Sequence, residues 1–230
     1  MKILTYSIFF AIGLFLVRFL YSCNSFQLSD ADKNLAKSME FDEDVLKEIK
    51  PYFSNPPEEF HYSLGKTLVD DKWIETDTIH AKGIAIYENP PKSSENVLLL
   101  KDRIHAKGYT IFLMENNFGI EKRADLVGIL KTTDKYEILK IIETDGINHD
   151  LENDSLIQII KKLDTTYDLE LIGAGGDWCE FIIHKEPSDY QKFAKEIYEI
   201  CPDIVDQGTG SVEALAEEMK RTKRLYFWWD

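Results

Sequence analysis

An α+β fold, a mixed or antiparallel sheet with helices packed on it, is predicted by three features of residues 61–230. Short runs with alternating or densely β-branched and aromatic residues recur at 83–88, 109–115, 125–130, 169–174 and 177–185. Between and after them lie stretches with apolar residues at i, i+3, i+4 and i+7, the spacing of a helix with one buried face. Glycines stand where such elements should turn or stop.

Taken in order, residues 23–60 read as a tether with one short helix. Ser, Asp, Asn and Lys dominate there, and Asp42 to Lys50 puts Val45, Leu46 and Ile49 on one side. Pro51 stops that helix, and Asn55-Pro56-Pro57 breaks the chain. From His61 to Asp77 the signal is weak and fits an edge strand and turn. "GIAIYE" (83–88) alternates as a strand, and Glu95 to His105 carries Val97, Leu100 and Ile104 at helical spacing. Gly108 is placed to stop the helix, and "YTIFLME" (109–115) completes a strand–helix–strand unit. "DLVGIL" (125–130) adds a strand, while Tyr136 to Glu143, rich in Ile and Leu, fits helix or strand equally.

The rest is clearer. Leu156, Ile157, Ile160 and Leu163 mark an amphipathic helix capped by Asn153 or Asp154. "LELIGA" (169–174) and "DWCEFIIHK" (177–185) form a hairpin through Gly175-Gly176. A helix opened by Pro187 or Ser188 turns Phe193, Ala194, Ile197 and Ile200 inward; another from Ser211 does so with Val212, Leu215, Ala216 and Met219. Arg224 to Trp229 is the last strand. Helix, hairpin, helix and closing strand suit helices on one face of a sheet, ferredoxin-like in kind. In "RLYFWW" both faces are apolar, which predicts a central or near-central strand with Phe227 and Trp229 in the core. Asp230 is then expected near the Gln207–Gly210 turn.

Residues 1–22 are an address rather than fold. Lys2 is followed by an apolar run, Ile3 to Val17, shorter than the ~20 residues that span a bilayer. The run closes on Leu20-Tyr21-Ser22-Cys23, which resembles a bacterial lipobox, and Ser-Cys-Asn is similar to the ending frequent in Bacteroidetes lipoproteins. The resemblance implies that Cys23 is lipidated and that the chain is tethered to the membrane, facing the periplasm or exterior. Arg18, five residues before the cleavage point, leaves an uncleaved N-terminal anchor open. Either way residues 24–230 lie outside the cytoplasm, where Cys179 and Cys201 are a candidate disulfide, two buried free thiols being the other reading.

The net charge is −14, and −16 once Lys2 and Arg18 leave with the first 22 residues. A surface so acidic repels nucleic acid. The longest basic cluster, Lys220-Arg221-Thr222-Lys223-Arg224, reads as the cationic end of a helix. A basic protein partner suits this balance.

No catalytic, cofactor or metal constellation emerges. "GAGGDW" (173–178) matches no phosphate-loop pattern and sits between strands. "QGTGS" (207–211) leads into a helix N-terminus and reads as a turn with a Ser211 cap, an anion site being the other reading. The five histidines lack zinc-binding spacing. His149, in "TDGINHDLEND", reads either as half of a His–Asp pair or as part of a solvated loop capping the next helix.

"TDGINHDL" (144–151), "GDWCEF" (176–181) and the stretch from Cys201-Pro202-Asp203 through Gln207-Gly208-Thr209-Gly210 to Trp228-Trp229-Asp230 resemble the bacterial domain of unknown function (DUF) 4253 family. The resemblance covers about residues 120–230, and more loosely from 80. Asp145 and His149 stand where that family's first motif usually has Asn and Tyr. The resemblance implies no activity and no catalytic residue. Two function classes follow. The first is an envelope-tethered, non-enzymatic binding protein of immunity type, with Asp203, Asp206, Gln207, Gly208, Gly210 and Asp230 as candidate surface. The second is a hydrolase-like enzyme built on Asp203, Asp206, Gln207 and Asp230.

Overall fold

Seven strands hydrogen-bond into one mixed sheet: β1 (Glu58–Val69), β2 (Lys72–Glu88), β3 (Thr110–Glu115), β4 (Asp125–Leu130), β5 (Leu169–Ala174), β6 (Trp178–Ile183) and β7 (Arg224–Trp228). Their order across the sheet is β1-β2-β4-β3-β5-β6-β7, antiparallel throughout except for β3 beside β5. The computed structural model describes residues 27–69, 72–117 and 123–230; the signal or anchor and Cys23 lie outside them. No helix among the described residues is long and apolar enough to cross a membrane.

The α+β class and the mixed sheet are as the sequence predicts. Helices, however, cover both faces where one covered face was expected. Residues of β4 alternate between two apolar sets, Leu126 and Leu130 against Val127 and Ile129, so each face needs its own cover. On one side lie α1 (Asp30–Ser38), α2 (Glu43–Ile49) and α3 (Lys92–His105), burying Ala36, Leu46, Ile49 and Leu100 against Ile84, Ile111 and Ile129. On the other lie α4 (Lys135–Ile142), α5 (Asn153–Tyr167), α6 (Tyr190–Ile200) and α7 (Val212–Thr222), meeting Phe112, Leu171, Phe181 and Phe227. Each fully buried Leu, Ile or Phe contributes about 1.5–3 kcal/mol.

The stretch read as a tether with one helix carries two. Before α1, the Ser29 hydroxyl accepts the Asp32 N–H at 3.2 Å while Asp32 accepts the Ser29 N–H at 2.9 Å. This reciprocal cap starts a helix whose composition is otherwise polar. Lys50 pairs with the same Asp32, fastening α2 to α1. The weak signal at 61–77 belongs to a long β1–β2 hairpin with β1 at the sheet edge.

The strand–helix–strand unit exists as β2, α3 and β3, but β4 is inserted between the two strands, antiparallel to both. Gly108, at φ +84°, ends the α3 corner as its position suggests. The ambiguous run 136–143 is helix: Asp134 accepts from the Tyr136 N–H at 2.9 Å, and Glu143 turns left-handed at φ +57°. Helix α5 begins one residue earlier than expected, with Glu152 at the cap position. Asn153 instead donates to the Leu139 and Thr144 carbonyls at 2.9 and 2.7 Å. Asp189, rather than Pro187 or Ser188, caps α6, and Ser211 caps α7 through the Ala214 N–H at 3.1 Å.

β7 is the edge strand, not a central one. Leu225, Phe227 and Trp229 are buried, as the pattern predicts. Tyr226 and Trp228 are half-buried, with Tyr226 set 5.9 Å from the Trp178 ring. Their cover comes from the neighbouring β6 side chains and a cleft wall, so an apolar outer face does not require a further strand.

Candidate functional site

Four stretches far apart in sequence meet beside the β5–β6 turn. The loop after α4 is tied to that turn: the Thr144 hydroxyl donates to the Gly175 carbonyl at 2.7 Å, and the Asp145 N–H to the Gly176 carbonyl at 2.8 Å. Gly146 and Leu151 then pair across a short loop whose 3-10 turn, Ile147–His149, lifts the imidazole outward. From the opposite side, α6 ends at Cys201 and the chain passes through Pro202 and Asp203 into a π-helical turn, Ile204–Thr209. Gly210, at φ +77°, closes the turn, a conformation that favours glycine.

Asp203 is the hub. Its Oδ2 accepts from His149 at 2.7 Å and from the Asp230 N–H at 3.0 Å, and Gln207 also bonds its carboxylate. The Asp203 side chain is 11% exposed and that of His149 32%. The Asp230 N–H first, then His149 and Gln207, hold the Asp203 carboxyl below the usual carboxylate range against the opposing effect of desolvation. An ionised carboxylate only accepts, so His149 Nε2 carries the hydrogen of that bond.

Trp229 locks the C-terminal stretch in place. Its N–H donates to the Asp177 carbonyl at 2.9 Å and its indole Nε1 to the Ile200 carbonyl at 3.3 Å. The indole stacks on Phe227, centroids 5.5 Å apart with planes 1° from parallel. It also lies flat against Gly146, where a Cβ would stand 2.9 Å from the indole atoms. Only glycine lets the His149 loop and Trp229 approach this closely.

The candidate surface residues separate. Asp203, Gln207 and Asp230 come together, although Asp230 is held at Asp203 by its backbone and its side chain is exposed. Asp206 faces away and accepts from the Tyr198 hydroxyl at 3.2 Å. Gly208 lines a cleft that takes in none of Asp203, Gln207 and Asp230, and Gly210 serves the turn. His149, outside the expected set, is the added member: of its two readings the His–Asp pair is the one formed, with Asp203, 54 residues away.

Asp177, Asp145 and Asp230 crowd the same end. Asp177 is exposed as a residue, yet partial desolvation of its carboxyl, followed by the charges of Asp230 and Asp145, raises its pKa. The cysteines are free thiols, not the candidate disulfide. The Cys201 sulfur is engaged with β7, donating to the Trp228 carbonyl at 2.9 Å and accepting its N–H at 3.4 Å, and burial pushes its pKa up to about 11. Cys179 is wholly buried and its thiol is pushed up by the same cause.

An imidazole oriented by a buried carboxylate is equipped to move a proton at its other nitrogen. No Ser, Thr or Cys hydrogen-bonds to His149 among the described residues, and no group of three or more metal-ligating side chains gathers among them.

Residues 126–230 match the family model of a domain of unknown function (DUF4253). The match begins inside β4, in keeping with a resemblance from about residue 120 and without the looser extension to 80, and it takes in every stretch that meets at Asp203. No curated protein and no solved structure matches the chain.

Proposed function

We propose that the protein is a lipid-anchored, non-enzymatic binding protein of the bacterial cell envelope, of immunity type. It engages a basic protein partner through the acidic end where the motif stretches meet. The observation that carries this reading is the crowding of Asp145, Asp177 and Asp230, which raises the Asp177 pKa after desolvation has done so. A cationic partner docking there relieves that repulsion, and the net charge of −16 outside the first 22 residues steers it in. The lipobox-like Leu20-Tyr21-Ser22-Cys23 supplies the anchor.

The test is capture from an envelope extract by immobilised residues 24–230, read by mass spectrometry. The reading expects a protein rich in Lys and Arg that is released as salt rises from about 50 to 300 mM. Asp177→Asn with Asp230→Asn should lose it. Capture indifferent to both salt and substitution overturns the reading.

A second reading, a hydrolase-like enzyme, is favoured by the 2.7 Å contact between His149 and the buried Asp203. It expects wild type to cleave a simple probe such as p-nitrophenyl acetate and His149→Gln to lose that activity while keeping partner capture.

A further inference from the structure

A cleft of ≈ 610 Å³ opens between the Pro90–Pro91 turn, the ends of β3 and β4, and the corner where α7 meets β7. That volume suits a small molecule, for which sites of roughly 300–1,000 Å³ are usual. Ile204, Gly208 and Thr209 of the π-turn line it, while Asp145, Asp177, Asp203 and Asp230 do not.

Its charges are unbalanced. Among the described residues, three carboxylates line it, those of Asp125, Glu180 and Glu218, with the guanidinium of Arg224. Asp125 is 1% exposed and takes its hydrogen bonds from the Ser93 hydroxyl and the Asn117 N–H. Glu180 is 9% exposed, and Arg224 Nη1 donates to it at 2.9 Å. Burial nevertheless outweighs Arg224 and leaves the Glu180 pKa raised, so the local cation does not fully offset the cost of this charge. Beside these carboxylates stand two half-buried aromatic side chains, Tyr226 and Trp228, with Leu113 and Met219 completing apolar walls.

We propose that this cleft binds a small organic cation, an ammonium group on an apolar body, with the charge beside Glu180 and against the Trp228 and Tyr226 rings. A cation within about 6 Å of an indole centroid is attracted by the ring face, and desolvation strengthens the attraction. The carboxylates repel an anion of the same shape. A neutral molecule of that shape gains only the walls.

Three probes that share a phenyl ring and differ in the charge of the head group separate these cases by titration calorimetry on the full chain: benzyltrimethylammonium, benzyl alcohol and benzoate. The cation should bind at least about tenfold tighter than the alcohol, and benzoate should not bind. Glu180→Gln should weaken the cation about tenfold and leave the alcohol unchanged. Equal affinity for cation and alcohol, preference for benzoate, or no binding of any probe at millimolar concentration overturns the proposal. So does a Glu180→Gln protein that binds the cation as wild type does. Should Glu180→Gln fail to fold, Glu218→Gln, on the exposed side of α7, should weaken the cation about twofold. No change there overturns the proposal as well.

Discussion

Replacing Trp229 by Ala separates a structural from a surface role for the aromatic C-terminal stretch. The indole is 1% exposed, stacks on Phe227 at 5.5 Å, and donates to the Ile200 carbonyl. Deleting a buried Trp costs about 3–5 kcal/mol, a large share of the ~5–15 kcal/mol that holds a typical domain. At roughly 2–4 °C per kcal/mol for a chain of this size, the melting midpoint should fall by about 6–20 °C. Trp228→Ala, on the half-buried face, should cost about 1–2 kcal/mol. The assay is urea and thermal unfolding followed by circular dichroism. A double-mutant cycle sharpens it. Gly146→Ala puts a Cβ 2.9 Å from the indole and should cost about 1–3 kcal/mol by overpacking. With Trp229 already Ala, the same change should cost close to nothing. A Trp229→Ala protein melting within about 2 °C of wild type, or a Trp228→Ala protein melting lower than it, refutes the argument.

Asp203→Asn should lose about 1.5–3 kcal/mol at neutral pH, through weaker hydrogen bonds to the Asp230 N–H and His149. Because the folded Asp203 pKa is depressed, its contribution is full above the unfolded value near ~3.9 and is lost as pH falls through the folded value. The gap between wild type and variant should therefore narrow in urea titrations below about pH 4, and a gap constant with pH refutes it. Iodoacetamide at pH 7.5 should leave Cys179 and Cys201 unmodified in the folded chain and alkylate both in urea, by intact mass; a native disulfide or ready native labelling contradicts the buried-thiol geometry. Labelled palmitate should enter wild type and not Cys23→Ser, and equal labelling removes the lipid anchor from the proposed function.

Periodicity revealed what is local. The stripe Leu156, Ile157, Ile160 and Leu163 gave α5, and Gly175-Gly176 gave the β5–β6 hairpin, because one buried face or one tight turn leaves its mark within a few residues. Helix α1 escaped notice since Asp30–Ser38 offers only Leu35 and two alanines to a stripe; its signal was the Ser29–Asp32 cap spacing. The β1–β2 hairpin was faint because Lys66 to Thr78 mixes charge and β-branched residues without a clean alternation. Insertion of β4 between β2 and β3, and the edge position of β7, depend on which strands meet, and no period encodes that. The site was legible in part. Asp203, Gln207 and Asp230 stood out as polar residues near glycines and aromatics. The bond from His149 to Asp203 spans α5, the β5–β6 hairpin and α6, so no local spacing marks the pair.

The Cys201 sulfur carries a consequence for solubility. A strand at the end of a sheet presents backbone groups on which another chain can add, and this one is the most aromatic segment of the protein. Near its end, at Trp228, both the N–H and the carbonyl are already engaged by one thiol. That thiol works as a plug on a docking rail, and it does so with a group that accepts and donates at once. Oxidation by a peroxide to a sulfinate removes the donor and adds charged bulk, so it unplugs the rail beside the half-buried Tyr226 and Trp228. Burial of Cys201, which raises its thiol pKa, keeps the sulfur protonated and slow to oxidise, and so keeps this backbone position capped.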